Sequence, residues 1–342
     1  MNFPTQTGLR PDLAEEAKLS QAEMGGYSFP KIFPVMAVKE RAGTFAYAPE
    51  NLPNGTGSAQ EGRANGSAIT SDEVKCADYN WTTARLEART KIYDNEVKAF
   101  GGIEAADKNG GRNCVRRAYN KVEFRAYEKV FSAGRIAGAT SLANNAVQSL
   151  LTKAAIAVRP FGSPYLYMTT NGLVKFLQIP EVRRMMFGTF GAQATMNLLV
   201  GDQSVLFAKL SPLLGFKGIV VAQSEIVGTT NDDAIAVIGL REEAFAGNDS
   251  LIMTAKERAT YGFCVIYIPE GASTDMPFGV SSAPIEEHKM NIYDAESAYS
   301  LNELHGGAVK VFKMLADLAD YSVTQSPVEV KVVNADEFPQ LS

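Results

Sequence analysis

Residues 31–90, KIFPVMAVKERAGTFAYAPENLPNGTGSAQEGRANGSAITSDEVKCADYNWTTARLEART, restrict the fold more than any other segment. Two strand-like runs, Phe33 to Ala48 and Val74 to Arg89, flank a tip of Gly, Asn, Pro and Ser that forms turns and has almost nothing to bury. Phe45 and Tyr47 alternate onto one face of the first run, and Tyr79 and Trp81 share a face of the second. Together the runs read as one long hairpin, about 50 Å from end to end at roughly 3.3 Å per residue. A lone two-stranded hairpin is marginal in water, and its open edges invite pairing with another chain. Such an arm is stable if it lies across a neighbouring subunit.

The rest of the 342-residue chain has the means to build a core, with 46% hydrophobic and 21% charged residues. A net charge of −5 argues against a nucleic-acid binder with a broad basic surface. Cys76, Cys114 and Cys264 are far apart and odd in number, which points to reduced thiols rather than a disulfide framework or zinc site. The opening MNFPTQTGLRPDLAEEAKLSQAEM lacks the basic-then-apolar order of a signal peptide, and runs such as GIVVA are too short to span a membrane. The expected location of synthesis is a cytoplasm.

Residues 1–30 read as an extended arm with a helical turn or two between Leu13 and Ala22. After glycine breaks at Gly101–Gly102 and Gly110–Gly111, Val115, Ala118, Tyr119, Val122, Ala126 and Val130 recur at helical spacing. That predicts an amphipathic helix of about five turns, closed by Gly134. Arg116, Arg117, Lys121, Arg125 and Lys129 fall on its other side, as a solvated face or one turned to a polyanion. From Thr140 the pattern is mixed. TSLANNAVQSLLTKAAIAV predicts a helix with a Thr or Ser cap, PYLYMTT a strand, and NGLVKFLQIPEVRRMM a helix restarted at Pro180. GIVVA, DDAIAVIGL and YGFCVIYIP predict further strands, and SPVEVKVVNA an edge strand.

Sites for chemistry are scarce. His288 and His305 stand outside any metal or triad motif, and no nucleophile elbow or Walker loop occurs. GTGSAQEG has the wrong spacing for a dinucleotide loop, and Asp232 and Asp233 lie in a turn entering a strand. Asn54, Asn65, Asn80 and Asn248 match the glycosylation pattern by coincidence in a chain without a signal peptide. No catalytic, metal-binding or cofactor-binding residue is assigned, and no enzymatic activity is expected.

The order of parts resembles a tailed-bacteriophage major capsid protein of the Hong Kong 97-type fold, over nearly the whole chain. FPKIFPVMAVKERAGTFAYAPEN is similar to the start of that family's extended loop, and SLANNAVQSLLTKAAIAVRPFGSPYLYMTTNGLVKFLQIPEVRRMMF to its helix, strand and Pro-containing turn. The resemblance also reads the strands at Asp232 to Leu240 and Tyr261 to Pro269 as the return to the peripheral domain. It implies an α+β fold with an N-terminal arm (1–32) and an extended β-hairpin loop (33–90). A peripheral domain with a spine helix (91–135), an axial domain (136–310) and C-terminal strands returning to the peripheral domain (311–342) follow.

It implies a structural protein that self-assembles as pentamers and hexamers into an icosahedral shell around double-stranded DNA, made in a bacterial host's cytoplasm and resident in the virion. The implied partners are many copies of itself, portal and scaffolding proteins, a decoration protein, and DNA held weakly without sequence preference; no membrane is involved. Some relatives cross-link the loop through a lysine, but none occurs here between Lys39 and Lys75, so non-covalent stabilisation is expected. Some carry a long N-terminal scaffolding segment, for which about thirty residues are too few, so scaffolding is expected from a separate protein or a segment already removed. Phe45, Tyr47, Tyr79 and Trp81 are candidate inter-subunit anchors, since aromatics are enriched at interface hot spots; the alternative is that they pair across the hairpin itself. The alternative function is an encapsulin-like nanocompartment shell, and a third is a cytoplasmic α/β enzyme with an oligomerisation arm.

Overall fold

The computed structural model describes residues 27–47, 77–142, 146–190, 203–229, 231–240, 261–268 and 279–314. The expected arm over 1–26, the loop tip over 48–76 and the strand expected in SPVEVKVVNA lie outside the described residues.

The chain enters through a single helical turn, α1 (Phe29–Ile32), and a short strand, β1 (Val35–Val38). Strands β2 (Ala42–Tyr47) and β3 (Ala77–Thr82) form the hairpin, with Ala42 opposite Thr82 and Tyr47 opposite Ala77. The hairpin's described pairing is therefore six residues a side, about 20 Å. The sixteen-residue strands expected from sequence are each divided. At the division, the Thr83 amide and hydroxyl both donate to the Arg41 carbonyl, at 2.8 and 2.9 Å. On the body side, β1 and β4 (Ala84–Tyr93) leave the hairpin and join a larger sheet.

That first sheet has β9 (Gly262–Tyr267), β10 (Gly279–Ile285) and the fourteen-residue β11 (Met290–Glu303) beside β1 and β4. β11 is its axis, pairing antiparallel with β4, β9 and β10. A 28-residue helix, α2 (Ile103–Val130), packs on one face and is about 42 Å long. All six apolar positions expected from sequence are at most 5% exposed.

The helix departs from expectation at both ends. It runs through Gly110 and Gly111 rather than starting after them, because a Cβ at Gly110 would strike the ring of Tyr293. The glycine lets β11 and the helix approach, at a propensity cost of about 1 kcal/mol. The break at Gly101–Gly102 does hold, with φ of +90° and +124°. The helix stops at Phe131, and Gly134 lies inside the next short helix, α3 (Ala133–Ala137).

A second sheet has the order β5 (Thr140–Ser141), β12 (Val309–Lys313), β8 (Ala234–Leu240), β6 (Ser163–Thr169) and β7 (Gly218–Ala222). Every residue of β8 is buried, which is why its sequence is a continuous apolar run. Ala234, Ala236, Ile238 and Leu240 join the core around α2, while Ile235 and Val237 join a second core. Helices α4 (Val147–Val158), α5 (Thr170–Gln178), α6 (Pro180–Phe190) and α7 (Gln203–Leu214) cover that second face. α6 restarts at Pro180 as expected, but α4 has no Thr or Ser cap. Its first amides, Val147 and Gln148, donate instead to the Glu181 carboxylate at 2.9 and 3.2 Å.

The sheets do not follow the boundaries read from sequence. Residues 262–303 pair with 35–38 and 84–93, across the divisions at 90 and 135. Strand 234–240 belongs with 163–169 and not with the first sheet, and 309–313 pairs with it across the division at 310. Local pattern identifies a strand but carries no information about its partner.

Candidate assembly interface

Among the described residues, β2 and β3 have no partner strand but each other, so both hairpin edges present unpaired backbone groups. At its foot, Trp81 is 7% exposed and packs with Phe263 and Val265, flanked by Met36, Val38 and Leu304. The indole also covers Gly43, where a Cβ would lie 2.5 Å from Trp81 Cζ2. Arg41 adds a cation over the Tyr267 ring, 5.1 Å from its centroid. Of the four aromatic residues considered as anchors on a neighbour, Trp81 packs on its own sheet and fixes the hairpin there. The register sets Phe45 opposite Tyr79 and Tyr47 opposite Ala77, while the side chains of Phe45, Tyr47 and Tyr79 lie outside the described residues. Beside the foot, an open groove of about 830 Å³ runs between α2 and the first sheet, lined by Thr82, Ala84, Arg125, Lys129 and Tyr299.

A second fixed point holds the entering chain. Glu123 of α2 is 1% exposed, and its carboxylate accepts the Ser28 amide at 3.0 and 3.1 Å and the Phe29 amide at 2.8 Å. The Ser28 hydroxyl donates to the same carboxylate and lies 3.0 Å from the Tyr167 hydroxyl of the second sheet. Burial raises the Glu123 pKa, opposed by these hydrogen bonds and more weakly by Lys31. The Tyr27 hydroxyl donates to Asn120, one turn earlier on α2. Sequence reading had no signal for Glu123 beyond a glutamate on the apolar side of the helix.

Asp232, Asp233 and His305, noted in the sequence, have structural partners. Asp232 accepts from the Thr169 hydroxyl and from Asn171 Nδ2 at 3.1 Å, and Thr169 in turn caps α5 through the Gly172 amide at 2.8 Å. Asp233 pairs with Lys175. His305 packs on the Phe161 ring, with centroids 5.6 Å apart, and His288 is exposed. Burial pushes the Cys114 thiol up to about 12 and the Cys264 thiol higher, so neither is a ready nucleophile. Among the described residues no group of three His, Cys, Asp or Glu side chains is arranged to hold a metal ion, and no helix is long and apolar enough to cross a membrane.

No family profile and no curated protein sequence matches the chain. Solved structures do. A phage-related protein from Bordetella bronchiseptica RB50 is similar over 90% of this chain and 98% of its own, with a TM-score of 0.57 at 14% identity. The chain has the phage-protein fold that its sequence resembles. The capsid of a native GTA particle is similar over 92% and 95%, at 16% identity and a TM-score of 0.44. A virus-like particle from Pyrococcus furiosus is similar over 89% and 98%, at 10% identity and 0.46. These lower scores add no weight to the fold assignment.

Proposed function

We propose that this chain is the major capsid protein of a tailed bacteriophage, a structural protein whose copies assemble as pentamers and hexamers into an icosahedral shell around double-stranded DNA. The observation that carries the reading is a two-stranded hairpin with both edges unpaired among the described residues, fixed to the body at one end by Trp81, on a chain with a phage-protein fold. A hairpin gains stability from backbone pairing and burial on another copy. Interfaces of permanent assemblies commonly bury about 2,000 Å² or more. Portal, scaffolding and decoration proteins are the further partners of this reading, and the virion its location.

The test is to express the full chain alone, fractionate it by size, and image the largest fraction by negative-stain electron microscopy. Closed shells, tubes or capsomer rings are the expected result. A second preparation replaces residues 44–80 by a short Gly-Ser turn, which should leave the body folded and abolish closed shells. A monomer that stays monomeric with the scaffolding protein encoded beside it would overturn the proposal. Shells that enclose a cargo enzyme and exclude DNA would assign the chain to nanocompartments instead.

A further inference from the structure

The long helix turns a row of cations to solvent. Arg117, Lys121, Arg125 and Lys129 recur every fourth residue with Arg116 beside the first, and all five are exposed. Positions four apart form a ridge along a helix, so the four charges span about 18 Å. Between Arg112 and Val130 the acids are Glu123 and Glu128. Glu123 is buried on the other side, under Ser28, and only Glu128 reaches the ridge, pairing with Arg125 at 2.6 Å. The remaining contacts steady the side chains without cancelling their charge. Arg117 donates to the neutral Arg89 carbonyl at 2.9 Å, and the Lys121 ammonium lies 5.3 Å from the Phe124 ring centroid. A chain with a net charge of −5 thus concentrates positive charge along one edge of its longest element.

We infer that this ridge is the surface through which the subunit contacts duplex nucleic acid, which deepens the shell reading, rests on it, and makes the exposed side of α2 part of the inner wall. A duplex carries one negative charge per ~1.7 Å of its axis, so a ridge of about 18 Å faces roughly ten phosphates. The ridge is a single row of long, flexible cations. That form neutralises backbone phosphates and reads no bases, so contact is independent of sequence and falls steeply with salt.

The experiment measures binding of a labelled 30-base-pair duplex of arbitrary sequence to the full-length chain by fluorescence anisotropy across a salt series. The variant Arg116→Ala/Lys121→Ala/Lys129→Ala should reduce the slope of log K against log salt by about 2.7, three contacts at ~0.9 each. A control, Lys153→Ala/Arg159→Ala/Lys310→Ala, removes the same charge from exposed positions elsewhere and should keep the parent slope. The charge-preserving Lys121→Arg/Lys129→Arg should also keep it. No measurable binding at low salt, an unchanged slope in the ridge variant, or an equal fall in the control would each overturn the inference. Microscopy of the same preparations separates the two readings. Particles with ridge-independent binding leave the shell and remove the ridge, whereas ridge-dependent binding by a chain that forms no particles even with the scaffolding protein added keeps the surface and removes the shell.

Discussion

Replacing Glu123 by alanine should release the entering segment from the long helix. The carboxylate accepts two backbone amides and one hydroxyl, from Ser28 and Phe29, which are 1% and 2% exposed. Stranding a buried donor costs about 1–3 kcal/mol, so two amides at about 2 and a hydroxyl at about 1 lose about 5 kcal/mol. Removing a buried charge returns about 2 kcal/mol of desolvation, leaving a net loss of about 3 kcal/mol. Hydrogen exchange followed by mass spectrometry on peptides covering 27–34 should show roughly a 100-fold rise in opening. Peptides from α6 should be unchanged, since Val182 and Met186 lie in the second core, away from Ser28 and Phe29.

Glu123→Gln keeps an acceptor and should lose less. It also removes a titration. The folded pKa of Glu123 is raised, so the folded state holds the proton more tightly than the unfolded chain. This contribution to stability is fully present below the ordinary value of 4.5 and is lost as pH rises through the raised one. The melting-temperature advantage of the parent over Glu123→Gln should therefore narrow as pH rises through that window. Protection at 27–34 within threefold of the parent in Glu123→Ala would refute the reasoning.

Two further perturbations test the packing. Gly110→Ala gains about 1 kcal/mol on helix propensity alone, but its Cβ meets the Tyr293 ring, so thermal unfolding should show a net loss of about 1–3 kcal/mol; a raised melting temperature would contradict the close approach. Trp81 is the sole tryptophan, so its fluorescence should be blue-shifted and poorly quenched by iodide, and Trp81→Ala should cost about 3–5 kcal/mol; emission at the wavelength of a hydrated indole would contradict its burial.

What the sequence revealed follows from where the physical signal sits. The apolar spacing from Val115 to Val130 marks a helix because one face alone is buried, and the unbroken run in 234–240 marks a strand because both faces are. β11 passed unread because MNIYDAESAYSLNE mixes Asp, Glu, Ser and Asn into its alternation. Asn291 and Ser297 are nonetheless 1% and 2% exposed, Asn291 donating to the Tyr293 hydroxyl and Ser297 to the Tyr267 carbonyl. Their partners are set by the tertiary fold and leave no local trace. The same holds for Glu181 capping a helix 34 residues earlier. Aromatic content in the hairpin was legible, but the destination of Trp81 was not, because period-2 alternation fixes a face without saying what covers it.

Glu123 and Trp81 together bear on how the arms relate to the body. Glu123 fixes the chain at Ser28, and Trp81 fixes the hairpin at Gly43. Both roots meet the first sheet, Trp81 directly against β9 and Ser28 through α2, which packs on the sheet's other face. Through the Ser28 and Tyr167 hydroxyls the Glu123 root also touches the second sheet. If copies pair through the arms, the load of that pairing enters at these two roots, so their variants separate folding from assembly. Glu123→Ala should weaken particles while sparing the helices over the second core, whereas Trp81→Ala should loosen the hairpin and leave Ser28 docked.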